Sequence, residues 1–301
     1  MSDYGYSEYL RAKRTVDDRA LNKDVLAALT ASLPRGPLEI LEIGAGLGTM
    51  VGRLLDRGFC SRARYTLVDV DAQLLRDSRE WLATWAKGAG FSCEAAGDSL
   101  ALVRGEVVWT IVFVNAELSA WVAGEAHQPA DLLIANAFLD IVDVPTVLPQ
   151  LFSRVMKRGG QFLFTINFDG ETIFEPAHEA DDALMRVYHR SMDQRVRDGR
   201  PSGHSRTGRR LFHWLKAAGA HVEAAGSSDW VVFSDAQNQY PHEEATFVRH
   251  IIDTIDAELH RHADVDRQQL ADWLRARREQ LLRGQLVYLA HQLDLCGRAP
   301  A

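Results

Sequence analysis

The chain has 301 residues, of which 47% are hydrophobic and 25% are charged, and its formal net charge is −7. This composition excludes disordered and fibrous classes, and the length allows one large domain or a domain with a smaller cap. The acidic balance means that a nucleic-acid partner would depend on a local basic patch, so a small-molecule partner is the first expectation.

Cysteine usage and the lack of long apolar stretches predict a soluble, cytoplasmic protein. The three cysteines lie far apart in sequence and form no CxxC pair, which favours a reducing compartment. The opening residues lack the apolar core of a signal peptide. No stretch approaches the roughly 18 uncharged apolar residues that a transmembrane helix needs. We therefore expect no membrane association.

Strand-like and helical runs alternate through the first half of the chain, after a first helix predicted over 17–31. Strands are predicted at 38–44, 65–71, 91–96, 107–118, 130–138 and 161–168. Helices are predicted between them at 48–57, 72–87 and 145–160, the last ending at a glycine pair. The alternation predicts parallel βαβ units in a doubly wound sheet.

The second half of the chain has a different pattern. Helices are predicted at 178–200 and 207–219. The runs HVEAAG and DWVVFS flank a turn at 226–228, which predicts an antiparallel hairpin. Two long helices are predicted at about 242–262 and 266–292, and we expect them to pack on or cap the sheet.

The run EIGAGLGT at 42–49 joins a buried strand to a helix through a glycine-rich turn. Glycines allow a ligand to approach the backbone closely, and the helix start offers free N–H groups. The dinucleotide pattern G-x-G-x-x-G requires glycine where Thr49 stands. A carboxylate at Glu42 would repel a pyrophosphate and suits a ligand with an ammonium group.

Asp69 ends the next strand, about twenty residues past the loop, where a carboxylate in such folds hydrogen-bonds ribose hydroxyls. Asp71 is better explained as the N-cap of the following helix. Together, the loop and Asp69 indicate an adenosine ribose with a cationic amino-acid tail and no phosphates.

These motifs resemble those of the class I S-adenosylmethionine-dependent methyltransferases. Besides the glycine loop, the resemblance rests on LVDVD at 67–71, ADLLIANAFLDIVD at 130–143 and LFSRVMKRGGQFLFTI at 151–166. The predicted hairpin matches the antiparallel seventh strand of that family. The resemblance covers roughly residues 38–234.

The resemblance implies a Rossmann-like α/β fold, a doubly wound seven-stranded sheet whose last strand is antiparallel, with helical elements at both ends. It divides the chain into an N-terminal helical lid at 1–37, a methyltransferase domain at 38–240 with an insertion at about 170–206, and C-terminal helices at 241–301.

The resemblance also implies which residues would bind S-adenosylmethionine. The glycine loop would lie under the methionine part, Asp69 would accept the ribose hydroxyls, and Val70 would pack on the adenine. Glu117 and Asp98 compete for the adenine amino group, and Glu117 is preferred because its strand is the stronger prediction. The implied cofactor-binding residues are Glu42, Gly44, Ala45, Gly46, Gly48, Asp69, Val70, Ala116, Glu117, Asn136, Ala137 and Phe138.

Methyl transfer by in-line displacement mainly requires alignment, and a base is needed only when the acceptor is protonated. No spacing singles out a catalytic residue, and the candidate bases are Asp140, Asp169, His178, His189 and Tyr240. In an N-terminal segment at 9–22 that could fold over the cofactor, three basic residues are candidates to pair with its carboxylate: Lys13, Arg14 and Arg19.

Residues 136–139 read Asn-Ala-Phe-Leu, where methyltransferases of nucleic-acid bases or protein glutamines often carry an Asn/Asp-Pro-Pro-aromatic motif. This difference favours a small-molecule acceptor and no nucleic acid. The arginines within residues 195–210 form a basic stretch that would suit an acidic acceptor, which stays an alternative. The scattered histidines predict no metal site. The alternatives are a non-catalytic S-adenosylmethionine-binding protein and, less favoured, an NAD(P)-dependent oxidoreductase; a homodimer is also left open.

Overall fold

The structure is a computed structural model that describes residues 5–124, 128–197 and 199–301. Its helices are α1 Tyr6–Ala20, α2 Lys23–Ser32, α3 Thr49–Asp56, α4 Ala72–Gly88, α5 Leu118–Ala123, α6 Val144–Arg154, α7 Asp181–Asp193, α8 Thr207–Ala217, α9 Glu244–Leu259 and α10 Arg267–Leu282. A short 3-10 helix spans Leu139–Ile141.

The strands are β1 Leu38–Ile43, β2 Arg62–Asp69, β3 Ser92–Ala96, β4 Ser99–Arg104, β5 Val107–Asn115, β6 Ala130–Asn136, β7 Met156–Glu175, β8 Val196–Arg197, β9 Arg200–Pro201, β10 His221–Ser227, β11 Trp230–Val232 and β12 Val287–Arg298. Apart from the small β8–β9 pair, they form one sheet in the order β10-β12-β7-β6-β1-β2-β5-β4-β3, with β11 also paired to β12. This is the predicted mixed α/β sheet with helices on both faces.

The centre of the sheet is parallel and fully buried. Strands β7, β6, β1, β2 and β5 pair in parallel, and residues 132–135 of β6 have no exposed surface. Such burial on both faces explains why these strands are continuous apolar runs in the sequence. Their carboxyl ends meet at one edge, where Asp69 lies opposite Asn115 in the register.

The antiparallel part of the sheet differs from the prediction. Strands β10 and β11 do not form a hairpin with each other, because each pairs with β12, which lies between β10 and β7. Residues 287–292 were predicted as the end of a helix, and this prediction is wrong. Within the described residues the sheet has ten strands rather than seven.

Three further boundaries correct the prediction. The helix expected at 17–31 is two helices, because the Asn22 side chain accepts hydrogen bonds from the N–H groups of Asp24 and Val25 and starts α2. A strand, β4, forms between the two expected at 91–118. Helix α6 ends at Arg154, and β7 begins before the glycine pair.

No helix in the described part of the chain is long and apolar enough to span a bilayer.

Candidate functional site

A cleft of about 1290 Å³ opens at the carboxyl ends of the parallel strands. The loop after β1, the ends of β2, β5 and β6, and helix α1 line one half of it. Ligands of open α/β sheets bind at this edge, because the loops there leave a crevice between the two layers of helices.

The glycine loop forms the floor of this half. Gly44, Gly46 and Gly48 have φ values of 60°, 53° and 64°, a region that glycine enters without steric cost. A Cβ atom on Gly44 would lie 2.0 Å from Cδ2 of Phe138, so only glycine fits beside that ring. The main chain of the loop therefore has its polar groups close to the cleft.

Asp69 is held beside the glycine loop by its own hydrogen bonds. Its Oδ2 accepts the Gly46 N–H at 2.7 Å, and its Oδ1 accepts the Asp71 N–H at 2.9 Å. The Asn115 side chain donates to the carbonyl oxygens of Asp69 and Val70, which fixes the turn after β2. The Val70 side chain is 57% exposed on the cleft wall, an apolar surface that a flat ring could cover.

Glu117 lies on the cleft at the start of α5. Its carboxylate accepts hydrogen bonds from the Ala120 N–H at 2.9 Å and the Ser119 hydroxyl at 3.0 Å. Burial acts to raise the pKa of Glu117, but these hydrogen bonds and the nearby Arg197 outweigh it and lower the pKa overall. Ala116 lines the cleft beside it, whereas Asp98 is exposed in the β3–β4 turn and is not among the described lining residues.

The segment after β6 forms the cleft wall beside the glycine loop. Asn136 accepts a hydrogen bond from the Thr165 hydroxyl at 2.9 Å, and the Ala137 N–H donates to the Thr165 carbonyl. Ala137 has a φ of 51°, which is uncommon for a residue other than glycine. This turn directs Phe138 over Gly44.

Glu42 and Gly48 do not line the cleft among the described residues. Side chains alternate along a strand, and Glu42 shares the face of Ile40 beneath α3 and α4. There its carboxylate accepts a hydrogen bond from the Tyr65 hydroxyl at 2.8 Å, and burial raises its pKa to about 8. The structure thus places Glu42 away from any ammonium group in the cleft.

Helix α1 belongs to the predicted N-terminal lid and lines the cleft. Tyr6, Tyr9 and Lys13 line the cleft, and Leu10 lies against Gly46. Lys13 pairs with the buried Asp17 at 2.8 Å. The other two basic side chains predicted to face the ligand form ion pairs instead: Arg14 pairs with Asp18, and Arg19 pairs with Glu244 on α9.

Of the five candidate bases, Asp140 lines the cleft. Burial raises its pKa, and its Oδ1 has no hydrogen-bond partner in the described part of the chain. The other four are engaged outside the described lining: Asp169 pairs with Arg209, the Tyr240 hydroxyl donates to the Leu286 carbonyl, His189 contacts Thr172, and the His178 ring accepts the Ala180 N–H.

The second half of the cleft is lined by residues that the sequence analysis did not single out. They come from β7, α7, β11, α9 and β12, and most are aromatic and buried: Ile166, Phe168, Tyr188, Trp230, His250, Tyr288 and Gln292. Alternating burial along β12 could have indicated this strand in the sequence, but some of its buried positions carry polar side chains, which obscured the pattern.

Comparison with known proteins rests on structure alone, because no family model and no curated protein sequence matches the chain. A proposed methyltransferase from Bacillus halodurans has a TM-score of 0.51 and 12% identity, covering 93% of this chain and all of that one. The chain has the class I methyltransferase fold. At this identity the likeness shows the fold, and the predicted fold class is confirmed.

Two further solved structures are similar at lower scores. The YcgJ protein from Bacillus subtilis has a TM-score of 0.48 and 12% identity over 93% of this chain and 100% of that chain. Phosphoethanolamine N-methyltransferase 2 from Haemonchus contortus, in complex with phosphomonomethylethanolamine and S-adenosylhomocysteine, has a TM-score of 0.44 and 11% identity over 98% of this chain and 58% of that one.

In this methyltransferase fold, the cleft gathers ten of the twelve residues that the sequence analysis assigned to the cofactor: Gly44, Ala45, Gly46, Asp69, Val70, Ala116, Glu117, Asn136, Ala137 and Phe138. The described residues contain no cluster of three or more His, Cys, Asp or Glu side chains that could hold a metal ion.

Proposed function

We propose that the chain is an S-adenosylmethionine-dependent methyltransferase that acts on a small molecule. The proposal rests on the position of the Asp69 carboxylate. It accepts a hydrogen bond from the Gly46 N–H at the floor of a cleft in a methyltransferase fold. A carboxylate in this position can accept hydrogen bonds from two neighbouring ribose hydroxyls, because each of its oxygens has a further lone pair.

The residues present fit this cofactor. The loop at Gly44 admits no side chain because the Phe138 ring packs directly on it, so the loop presents bare backbone at the cleft. The exposed Val70 side chain offers an apolar surface for adenine, and the exposed Glu117 carboxylate an acceptor for its amino group. When bound, S-adenosylmethionine supplies a methyl group already activated by its sulfonium sulfur.

The contribution of the chain is therefore to orient the two reactants and exclude water. Helix α1 lines the cleft together with Ala137 and Phe138. Holding two reactants in line can supply much of the rate enhancement without a catalytic group. No catalytic residue is assigned.

The cofactor assignment is tested by calorimetric titration with S-adenosylmethionine and S-adenosylhomocysteine. We expect both to bind, and Asp69→Ala and Glu117→Ala each to weaken binding about tenfold or more, equivalent to about 1.4 kcal/mol. Asp98→Ala is the matched control, because it removes an exposed carboxylate outside the cleft and should leave the affinity unchanged.

Unchanged affinity in Asp69→Ala would remove the ribose assignment. A loss of affinity in Asp98→Ala, with none in Glu117→Ala, would assign the adenine amino group to Asp98 instead of Glu117. Binding of NAD without either adenosyl ligand would favour the oxidoreductase alternative and end the proposal.

A non-catalytic adenosyl-binding protein would have the same cofactor half. The large second half of the cleft favours an enzyme, since a binder has no use for an acceptor site. Formation of S-adenosylhomocysteine on addition of an acceptor from a metabolite library would distinguish the two. The cytoplasmic location, the homodimer and the three-unit division of the chain stay predictions from the sequence.

A further inference from the structure

The part of the cleft wall formed by β7, α7, β11, α9 and β12 is called here the acceptor end. Its wall is formed by Ile166, Tyr188, Trp230 and Tyr288, and none of these side chains is more than 9% exposed. Rings from three separate elements border the space. These rings offer a ligand a mainly apolar surface on which an aromatic ring can pack.

The formal charges that border the acceptor end compensate each other. Lys13 forms a 2.8 Å ion pair with Asp17 and lies 5.1 Å from the Trp230 ring centroid. Asp17 also accepts the Trp230 indole N–H at 2.9 Å. Burial lowers the pKa of His250, which favours its neutral form. A charged group bound here would lose water without gaining an opposite charge.

Gln292 supplies a polar group in this apolar wall. The side chain is 1% exposed and lies on β12 opposite Phe168 in the register. Its Nε2 has no hydrogen-bond partner in the ranges that the structure describes. A buried amide N–H without a partner is costly, so a ligand oxygen in the cleft that accepted its hydrogen bond would be stabilised there.

Two further charges of opposite sign, Asp140 and Arg195, act on Tyr188 in the wall of the acceptor end, so they too compensate each other. Asp140 is in the turn after β6, next to the cofactor half, and the arginines of the β8–β9 hairpin are exposed at the mouth: Arg195, Arg197 and Arg200. Asp140 would attract a cationic acceptor and the arginines an anionic one. A test must therefore distinguish both from an uncharged acceptor.

We propose that the acceptor end binds an uncharged aromatic hydroxyl compound, with the Gln292 carboxamide donating a hydrogen bond to its hydroxyl oxygen. This inference rests on the proposed function, because it names the class of molecule that would accept the methyl group. It makes Gln292 a specificity-determining residue and assigns no proton transfer to it.

The test uses three naphthalene probes that share one ring system and differ in charge at pH 7: neutral 2-naphthol, anionic 2-naphthoate and cationic 2-naphthylmethylammonium. Binding to the full chain is measured by calorimetry, with and without S-adenosylhomocysteine. We expect 2-naphthol to bind at least about tenfold more tightly than either charged probe, since burying an uncompensated charge is costly.

Gln292→Leu should weaken 2-naphthol binding about five- to tenfold, the loss expected for one hydrogen bond. It should melt at or above the wild-type temperature, because the amide N–H has no protein partner to lose. Gln150→Leu is the matched control, since Gln150 is an exposed glutamine at the same cleft. If the leucine variant does not fold, Gln292→Met replaces it with an unbranched side chain.

If 2-naphthoate binds most tightly, the arginines of the hairpin recognise the ligand. If the ammonium probe binds most tightly, Asp140 does. Either result overturns the inference. So does an absence of binding by all three probes, or unchanged 2-naphthol affinity in the Gln292 variant. If S-adenosylhomocysteine binds but the probes do not, the proposed function stands and this inference fails. If 2-naphthol binds but S-adenosylhomocysteine does not, the acceptor end is an aromatic binding site and the proposed function fails.

Discussion

Gly44 and Gly58 have nearly the same backbone conformation, with φ values of 60° and 64°, but different surroundings. A Cβ on Gly44 would overlap Phe138, whereas a Cβ on Gly58 would meet nothing within 4 Å. The pair therefore separates the cost of the left-handed conformation from the cost of displacing the Phe138 ring.

We expect Gly58→Ala to lower stability by about 1 kcal/mol, the cost of a positive φ in a residue with a Cβ. Gly44→Ala should lower it by about 2–3 kcal/mol and also weaken S-adenosylhomocysteine binding, because Phe138 must move. Urea unfolding and calorimetry measure the two effects. Equal losses in both variants, with unchanged affinity, would show that the Phe138 ring is not displaced.

Glu42 gives a prediction about pH. Burial raises its pKa to about 8 in the folded state, whereas in the unfolded chain the group ionises near about 4.3. Between these values the folded state retains a proton that the unfolded state has released. The free energy of unfolding should therefore decrease as the pH rises through this window and level off above about 8.

Glu42→Gln keeps an oxygen that can accept the Tyr65 hydroxyl and removes the titration. Relative to the wild type, this variant should gain stability steadily from about pH 5 to about pH 8 in urea unfolding measurements. A difference that does not change with pH would mean that Glu42 is ionised inside the fold.

At the residue scale, strand ends were predictable and strand faces were less so. Asp69 and Glu117 follow apolar runs, and that position alone puts them at the cleft edge. Both faces of β1 are largely buried, so side-chain alternation alone could not show whether the Glu42 carboxylate faces the cleft.

At the element scale, Asp294 on β12 links three segments that are distant in sequence. Its Oδ1 accepts the Ile166 N–H at 2.7 Å, and its Oδ2 accepts the Asn22 N–H at 2.8 Å. Ile166 has a φ of 56°, a rare conformation for a β-branched residue, which its bond to Asp294 helps to hold.

Asp294→Ala would leave both N–H groups without this partner, so we expect the free energy of unfolding to fall by about 2–4 kcal/mol. Asp264→Ala removes an exposed carboxylate paired with Arg190 and should change it by less than about 0.5 kcal/mol. Chemical denaturation compares the two. A similar small loss in both would show that other groups hold the backbone around Ile166.

The elements that were predicted correctly owe their pattern to local chemistry. Helix α4 begins where Asp71 accepts hydrogen bonds from the N–H groups of Gln73 and Leu74, as the predicted cap requires. The β12 strand was missed because what stabilises it is not local. Its partners on β7 lie more than 100 residues away, and buried Gln292 and Asp294 interrupt its apolar alternation.

At the scale of the whole molecule, the parallel centre of the sheet could be predicted from alternating strands and helices, because crossover connections follow few rules. The positions of β10, β11 and β12 could not, since antiparallel pairing between distant segments leaves little trace in either segment. The residues proposed to bind the cofactor follow the first group of strands, and the acceptor end lies largely on the second. This division explains why the sequence indicated a cofactor and left the acceptor open.

The place of β12 inside the sheet has a consequence for biosynthesis. A ribosome delivers the loops after β1 and β2 early, but β10 has no neighbouring strand until residues 287–298 emerge. Until then, the nascent chain presents the open edge of β7 to solvent, and unpaired edges invite association with other chains. Chaperone dependence during synthesis should therefore concentrate on the interval between the appearance of β7 and that of β12.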